Sequence, residues 1–353
     1  MKAYWQGENL VIGPQGSMSS LLSLSIVPVR ISAIDLQPLW SYTVEMISVL
    51  ISKLSSMILI TLAGLFAVRA GIFKNDDSKV FSRMVISILQ PCMIVNAFQI
   101  DLTPERIHGF IAAEIFCFAV FIFWILLSVL FRKLFNLNKV EEMTLIFSNV
   151  GNLILPLVQM VLGDEMVFYA SAIQLPFNLF LWTYCVMVIS GQKKMEFRKV
   201  FLNSNVLAVF IGLLFMITGV HFPEVIDTAV TSVSSMVGPL SMFVIGMIIG
   251  QGNIRRILTF KKGYLIAFLR LLFYPLSVMG ILYVSGILKI FPAYIPVFQV
   301  VFFALSAPPA AMVSQLALIY DEEPVEAGYL NVIGTILCAV TIPAVLYIYE
   351  LLF

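Results

Sequence analysis

The sequence predicts an all-α polytopic membrane protein whose ten transmembrane helices form two inverted five-helix repeats. Hydrophobic residues make up 60% of the chain, charged residues make up 12%, and the mean hydropathy is +1.00. This composition excludes a soluble globular domain. Apolar segments of about 20 residues recur along the chain, which is the length that crosses a bilayer as a helix. Segments in the two halves of the chain also match one another in order.

The chain divides into four parts. Residues 1–45 contain Gly, Pro, Gln, Ser and one apolar run too short to cross a bilayer, so we expect a poorly ordered extension. The first five-helix repeat covers residues 46–190, a short cytoplasmic linker covers 191–204, and the second, inverted repeat covers 205–353. The ten predicted spans are Ile47–Ala70, Val80–Ile100, Gly109–Phe131, Met143–Gly163, Met166–Ser190, Asn205–His221, Val225–Gly250, Gly263–Leu288, Pro296–Tyr320 and Val325–Leu352.

Basic residues are distributed unevenly between the loops. Fifteen of the 21 lie in the loops after spans one, three, five and seven, whereas the intervening loops hold only Arg106 and Lys289. By the positive-inside rule the four basic loops are cytoplasmic, and both termini lie outside the cell membrane. The acidic loop after span nine, Asp321–Glu323, is an exception on the same side. The fifteen residues are Arg69, Lys74, Lys79, Arg83, Arg132, Lys133, Lys139, Lys193, Lys194, Arg198, Lys199, Arg255, Arg256, Lys261 and Lys262.

Two pairs of spans suggest an internal repeat. Span two aligns with span seven, with Pro91 on Pro239, and span four with its exit aligns with span nine and its exit. A repeat of five spans is odd, so the two halves must be inverted in the membrane, as in many secondary transporters. The second match pairs Asn149 with Ser306, Gly151 with Pro308, Asn152 with Pro309, Asp164 with Asp321, and Gln174 with Asn331.

The stretch Asn149–Pro156 is poorly suited to the middle of a membrane helix. Pro156 removes a backbone donor and clashes with the preceding turn, and Gly151 weakens the helix further. Such a break is tolerated at membrane depth only against protein or a wet cavity. Its partner in the second repeat is Ser306–Pro309, and at 1.5 Å per residue both stretches reach the midplane, about 15 Å deep. We therefore expect the two breaks to meet there.

Paired helix breaks predict a binding site for an anion. A half-helix that starts at the midplane presents unpaired N–H groups and about half a positive charge, which can hold a carboxylate without a buried cation. The alternative is that the polar side chains only satisfy backbone groups freed by the prolines. The candidate substrate-binding residues are Asn149, Gly151, Asn152, Pro156, Gln174, Asn178, Ser306, Pro308, Pro309 and Asn331.

Two charged residues lie inside spans. Glu114 is expected about 8 Å below the outer face, and an intramembrane carboxylate is a candidate for proton or ion coupling; a structural hydrogen bond and a place in an outer vestibule are the alternatives. Arg270 is expected about 10 Å from the inner face and to extend towards the cytoplasm, which leaves no cation near the breaks. The four cysteines indicate packing, and His108 and His221 each stand alone, so we expect neither a metal nor a cofactor.

The stretch Asn149–Pro156, with Pro91, Asn96 and the proline-bearing ninth span, resembles the auxin efflux carrier family. That family includes plant PIN-type auxin exporters and bacterial permeases for malonate and similar carboxylates, and the resemblance covers about residues 46–353. It implies that the broken helices four and nine cross, with the substrate carboxylate beside the crossing. It also implies a scaffold of spans one, two, six and seven and a moving unit of the other six. The short linker 191–204 departs from the plant members and favours a prokaryotic permease.

The expected function is therefore that of a secondary membrane transporter that moves a small organic anion by alternating access. The expected partners are the anion, a proton or sodium ion, and the lipid bilayer, but no nucleic acid; a homodimer is left open. A membrane-embedded sensor with a transporter-like fold is the main alternative. An intramembrane enzyme is less favoured, because the sequence has no Ser/His arrangement, HExxH motif, paired intramembrane aspartates or Walker A loop.

Overall fold

The structure is a computed structural model that describes residues 3–6, 9–12, 39–150, 158, 164–192 and 202–353, with side chains described for 48–103, 106–150, 158, 166–192 and 202–353. Contacts divide the chain into two units, Met1–Ser32 and Ala33–Phe353. In the first unit, β1 (Ala3–Gln6) pairs antiparallel with β2 (Asn9–Ile12). All the described helices belong to the second unit.

The described part of the second unit is helical, and three of its spans contain a complete described turn of π-helix. The α-helices are α1 (Leu39–Arg69), α2 (Asp77–Met84), α3 (Gln90–Ala97), α4 (Pro104–Phe135), α5 (Lys139–Ile146), α6 (Asp164–Ser171), α7 (Gln174–Phe180), α8 (Val186–Ile189), α9 (Ser204–Thr218), α10 (Glu224–Ser235), α11 (Val237–Gly250), α12 (Arg255–Thr259), α13 (Lys261–Phe268), α14 (Tyr274–Ser285), α15 (Ile287–Ile290), α16 (Ile295–Leu305), α17 (Ala311–Ile319) and α18 (Pro324–Leu352). The π-helical turns are Val85–Leu89, Leu181–Cys185 and Leu269–Phe273, and a 3-10 turn covers Pro292–Tyr294.

Seven helical stretches of the described chain are long and apolar enough to cross a membrane. They correspond to predicted spans one, two, three, five, seven, eight and ten. Predicted span six is the shorter apolar helix α9, and predicted span nine is divided into α16 and α17. Span four starts as α5 and continues into residues outside the described part. The all-α membrane class is confirmed, while the count of ten spans and the inverted repeat stay predictions.

Helix α4 packs against the protein with one apolar face and exposes a second apolar face that suits contact with lipid. Its buried face includes Phe121 and Trp124, both fully enclosed. Its other face carries large aliphatic side chains that are 48 to 66% exposed at intervals of four or seven residues, and such a stripe on a soluble helix would be unfavourable. These side chains are Ile111, Ile115, Ile122, Leu126, Leu130 and Leu134.

The acidic loop after span nine is paired with two of the basic loops. Lys79 Nζ lies 2.5 Å from Asp321 Oδ1, and Lys139 Nζ lies 2.6 Å from Glu322 Oε2. Each pair is partly exposed, so each contributes at most about 1 kcal/mol. The contacts nevertheless place the loops after spans one, three and nine on one face of the protein. Two acids of the loop after span nine, Asp321 and Glu322, thus each have a basic partner there.

Helices α1 and α11 approach one another through glycines. A Cβ atom on Gly246 would lie 1.9 Å from the carbonyl oxygen of Thr61, and one on Gly64 would lie 2.0 Å from that of Phe243. Only a residue without a side chain permits such backbone contact. The sequence Gly246-x-x-x-Gly250 therefore marks a packing face, as its spacing suggests.

We expect Gly246→Ala to lower the free energy of unfolding by roughly 1–3 kcal/mol, because a methyl group would force α1 and α11 apart. Equilibrium unfolding of the purified protein in detergent micelles measures this loss. Gly280→Ala is the matched control, since its added Cβ meets nothing within 4 Å. That control should keep wild-type stability or gain up to about 1 kcal/mol from helix propensity. Equal stability of both variants would contradict the close helix contact.

Candidate functional site

Two interruptions of helical structure face each other in the second unit. The first break covers Phe147–Asn149, immediately after α5, and Val150 is helical again; the second break is Ser306–Ala310, between α16 and α17. Pro308 and Pro309 explain the second, because neither has an N–H to continue the helix.

Side-chain contacts fix the start of α5, which leads into the first break. The Asn138 side chain and the Glu141 carboxylate form a reciprocal cap, and Lys262 Nζ contacts Glu141 Oε2 at 2.6 Å. The adjacent Glu142 is fully buried and accepts from Ser128, Arg132 and Tyr184. These contacts fix where α5 begins, eight residues before the helix gives way to the first break.

The two breaks pair through their backbones. Asn149 N–H donates to Pro308 O at 2.8 Å, and Ala310 N–H donates to Phe147 O at 3.0 Å, which makes an antiparallel bridge between Ser148 and Pro309. Inside a bilayer an unpaired backbone group costs several kcal/mol. The approach of the two stretches, which the sequence predicted from their matched depth, is therefore present and accounts for backbone groups that the breaks release.

Arg270 lies at these breaks, which corrects the expectation that it extends to the cytoplasm and that no cation is near. Its guanidinium is fully buried, with Nη1 donating to Leu145 O at 3.2 Å and Nη2 to Leu305 O at 3.0 Å and Ala307 O at 3.3 Å. Trp124 covers it with a ring centroid 4.8 Å away. The carbonyls at the ends of α5 and α16 have no helical partner of their own. Because they need hydrogen-bond donors, they hold the Arg270 side chain inside the protein.

Two of the predicted site residues hydrogen-bond to the backbone at the second break, and Asn331 also lines a separate cavity of about 200 Å³. Asn331 Nδ2 donates to Pro309 O at 2.9 Å, and Ser306 Oγ donates to Phe302 O at 2.9 Å. Gly334 lets α18 come this close, since a Cβ there would lie 2.3 Å from Pro309 Cδ. Asn331 thus satisfies a carbonyl at the second break, whereas the Phe302 carbonyl also accepts from the Ser306 N–H; the substrate-binding roles of both residues stay predictions.

A small cavity lies against the bridge. Its volume is about 20 Å³, enough for one water molecule. The predicted residues Asn149 and Gln174 line it, and so do Gln90 and Ser148, which the sequence analysis missed. Gln90 Oε1 and Ser148 Oγ are buried and have no hydrogen-bond partner among the described residues. The remaining lining residues are Met93, Val150, Phe177, Ala310, Ala311 and Met312.

The start of α17 forms part of the same cavity wall. Ala310 is the N-cap residue, and it offers no side-chain acceptor to the first N–H groups of the helix. Ala311 and Met312, the first two residues of α17, line the cavity. No charged side chain is present in the described lining. A helix N-terminus without a side-chain cap presents N–H donors and about half a positive charge, which suits an anionic group.

Gln174 and Asn178 belong to a ladder along one face of span five. Asn178 Nδ2 donates to the backbone oxygen of Gln174 at 2.8 Å and lies 3.4 Å from its Oε1, and Trp182 Nε1 donates to Asn178 Oδ1 at 3.3 Å. Gln174 reaches the cavity wall, whereas Asn178 lies one turn further along and supports it. The ladder thus orients the Gln174 side chain.

Glu114 is separate from the cavity lining. It lies on α4, and neither carboxylate oxygen has a hydrogen-bond partner among the described residues. Gly151, Asn152 and Pro156 lie outside the described residues. Their expected roles stay predictions.

Comparison with known families agrees with this architecture. A family model described as membrane transport protein matches residues 49–196 and 192–346. No curated protein matches the chain. The matched regions cover most of the chain, and the apolar spans are those of a multi-pass membrane protein. The chain therefore belongs to the membrane transport protein family, that of the auxin efflux carriers.

Proposed function

We propose that this protein is a secondary carrier that moves a small organic anion, a carboxylate, across the cell membrane by alternating access. The observation that carries the proposal is the pairing of the two breaks beside a cavity with spare polar groups. Ser148 supplies a hydroxyl without a partner among the described residues, Gln90 carries amide N–H groups at the cavity wall, and α17 supplies N–H groups without a side-chain cap. A serine hydroxyl, amide N–H groups and a helix N-terminus can together hold a carboxylate.

The cavity wall supports a mechanism in which two parts of the protein separate. Gln90 and Met93 belong to span two, in the proposed scaffold, whereas the other lining residues belong to spans four, five and nine, in the proposed moving unit. A volume of about 20 Å³ admits water but no carboxylate. Binding therefore requires α3 to move away from the breaks, which is the opening that alternating access provides.

A membrane-embedded sensor with a transporter-like fold is the alternative function. Both functions need a ligand site, but only a carrier moves its ligand across a sealed membrane. Flux of the ligand into proteoliposomes distinguishes them, since a sensor would bind without flux.

We expect at least one compound in a series of small mono- and dicarboxylates to raise the unfolding temperature of the purified protein. Ligand at one hundred times its Kd adds about 2.7 kcal/mol of stability by mass action.

Asn149→Ala should weaken binding of that compound about 10- to 100-fold, the effect of one lost hydrogen bond to a charged group. Asn75→Ala, in an exposed loop, is the control and should bind normally. Wild-type affinity in Asn149→Ala would contradict the site.

We expect Glu114→Gln to flatten the dependence of transport on pH. Glutamine resembles the protonated carboxyl and cannot release a proton, so a carrier coupled through Glu114 would lose that step. Initial rates of uptake into proteoliposomes at a series of pH values measure the effect. Glu224→Gln, at an exposed position, should keep the wild-type profile. Coupling through Glu114 is excluded if the Gln variant keeps that profile as well.

The proposed orientation places the loop after span one in the cytoplasm and the loop after span six outside. We expect a membrane-impermeant maleimide to label Glu224→Cys on intact cells, and to label Asn75→Cys only after the cells are permeabilised. Both positions are exposed in the structure, so accessibility within the protein is equal. The reverse labelling pattern would invert the topology.

A further inference from the structure

Arg270 joins the C-terminal ends of two broken helices. Its two terminal nitrogens donate to the carbonyl of Leu145 in the last turn of α5, and to those of Leu305 and Ala307 at the end of α16. A ring of carbonyls at half-helix C-terminal ends is the arrangement that coordinates sodium in transporters with discontinuous helices. Here a side chain of the protein occupies that arrangement.

The charges at this point balance without a carboxylate. Each helix C-terminus carries about half a negative charge, so the ends of α5 and α16 together present about one. The guanidinium supplies one positive charge, and no ion pair joins it to an acid in the described part of the chain. A buried cation is unfavourable unless its surroundings compensate it. The carbonyls and the Trp124 ring provide that compensation.

We propose that Arg270 is a tethered cation that takes the place of a coupling metal ion at the paired breaks, so that the carrier binds no sodium there. The inference deepens the proposed function, because it assigns the cation that serves its broken helices. Arg270 is a positioning residue: it keeps the negative helix ends neutral and leaves the positive N-terminus of α17 to face the anion. Any ion coupling then runs through another group.

The unfolding temperature of the purified protein, measured in sodium chloride and in N-methylglucamine chloride of equal ionic strength, tests the proposal. The wild type should show no difference between the two salts. Arg270→Ala should unfold roughly 10 °C lower in N-methylglucamine, and sodium or methylguanidinium at millimolar concentration should restore much of the loss with a saturating dose response. Arg255→Ala removes an exposed arginine that lies outside the breaks, and neither cation should change the stability of this control.

Two results would overturn the proposal. A sodium-specific stabilisation of the wild type as large as that of Arg270→Ala would show a metal site that does not depend on Arg270. Failure of both cations to rescue Arg270→Ala would show that the side chain acts by packing alone. These unfolding measurements do not depend on transport. Absence of flux in proteoliposomes would therefore refute the proposed function without deciding the role of Arg270.

A second pair of variants applies if Arg270→Ala yields no folded protein. Arg270→Lys keeps the positive charge, whereas Arg270→Gln has similar length and hydrogen-bonding groups without the charge. The lysine variant should remain folded and indifferent to sodium, and the glutamine variant should be less stable and respond to sodium. Equal stability of the two variants in both salts would overturn the proposal.

Discussion

A helix that stops inside a bilayer must find protein partners for its free backbone groups, because no water is present to replace them. The two breaks of this chain meet that constraint largely with each other. Two backbone hydrogen bonds join them, and Arg270 and Asn331 satisfy four carbonyls between them. Removing either break would leave the other with unpaired groups, so the two form one structural unit although they lie about 160 residues apart in the chain.

This constraint also divides the polar groups near the breaks into two sets. Arg270, Asn331 and Ser306 are committed to backbone carbonyls, and none of them lines the cavity. Gln90 and Ser148 line it and keep an oxygen without a partner in the described structure. An unpartnered buried oxygen costs about 1–3 kcal/mol, and a binding site is a common reason for such a cost. The first set maintains the geometry, and the second is available for a ligand.

Local signals in the sequence were sufficient to locate the second break, and the matched depths of the two stretches predicted their approach. Proline and glycine act on the backbone at their own positions, so Pro308 and Pro309 mark the second break without knowledge of the fold. Arg270 was misplaced for the opposite reason. Its partners Leu145 in α5 and Leu305 in α16 are 125 and 35 residues away along the chain, and a depth estimate along one helix does not include them. Gln90 was overlooked because the interpretation of span two rested on the neighbouring Pro91 and its effect on the backbone.

The π-helical turn Leu269–Phe273 explains how span eight brings Arg270 to the breaks. Three consecutive residues of that turn, Leu269, Arg270 and Leu271, are buried, although a regular helix rotates by about 100° per residue. A π-turn holds one residue more than an α-turn and often arises where function requires it. A relative that lacked this extra residue would turn a different side of span eight towards the broken helices. The length of span eight, and not only its composition, thus decides whether its arginine reaches the broken helices.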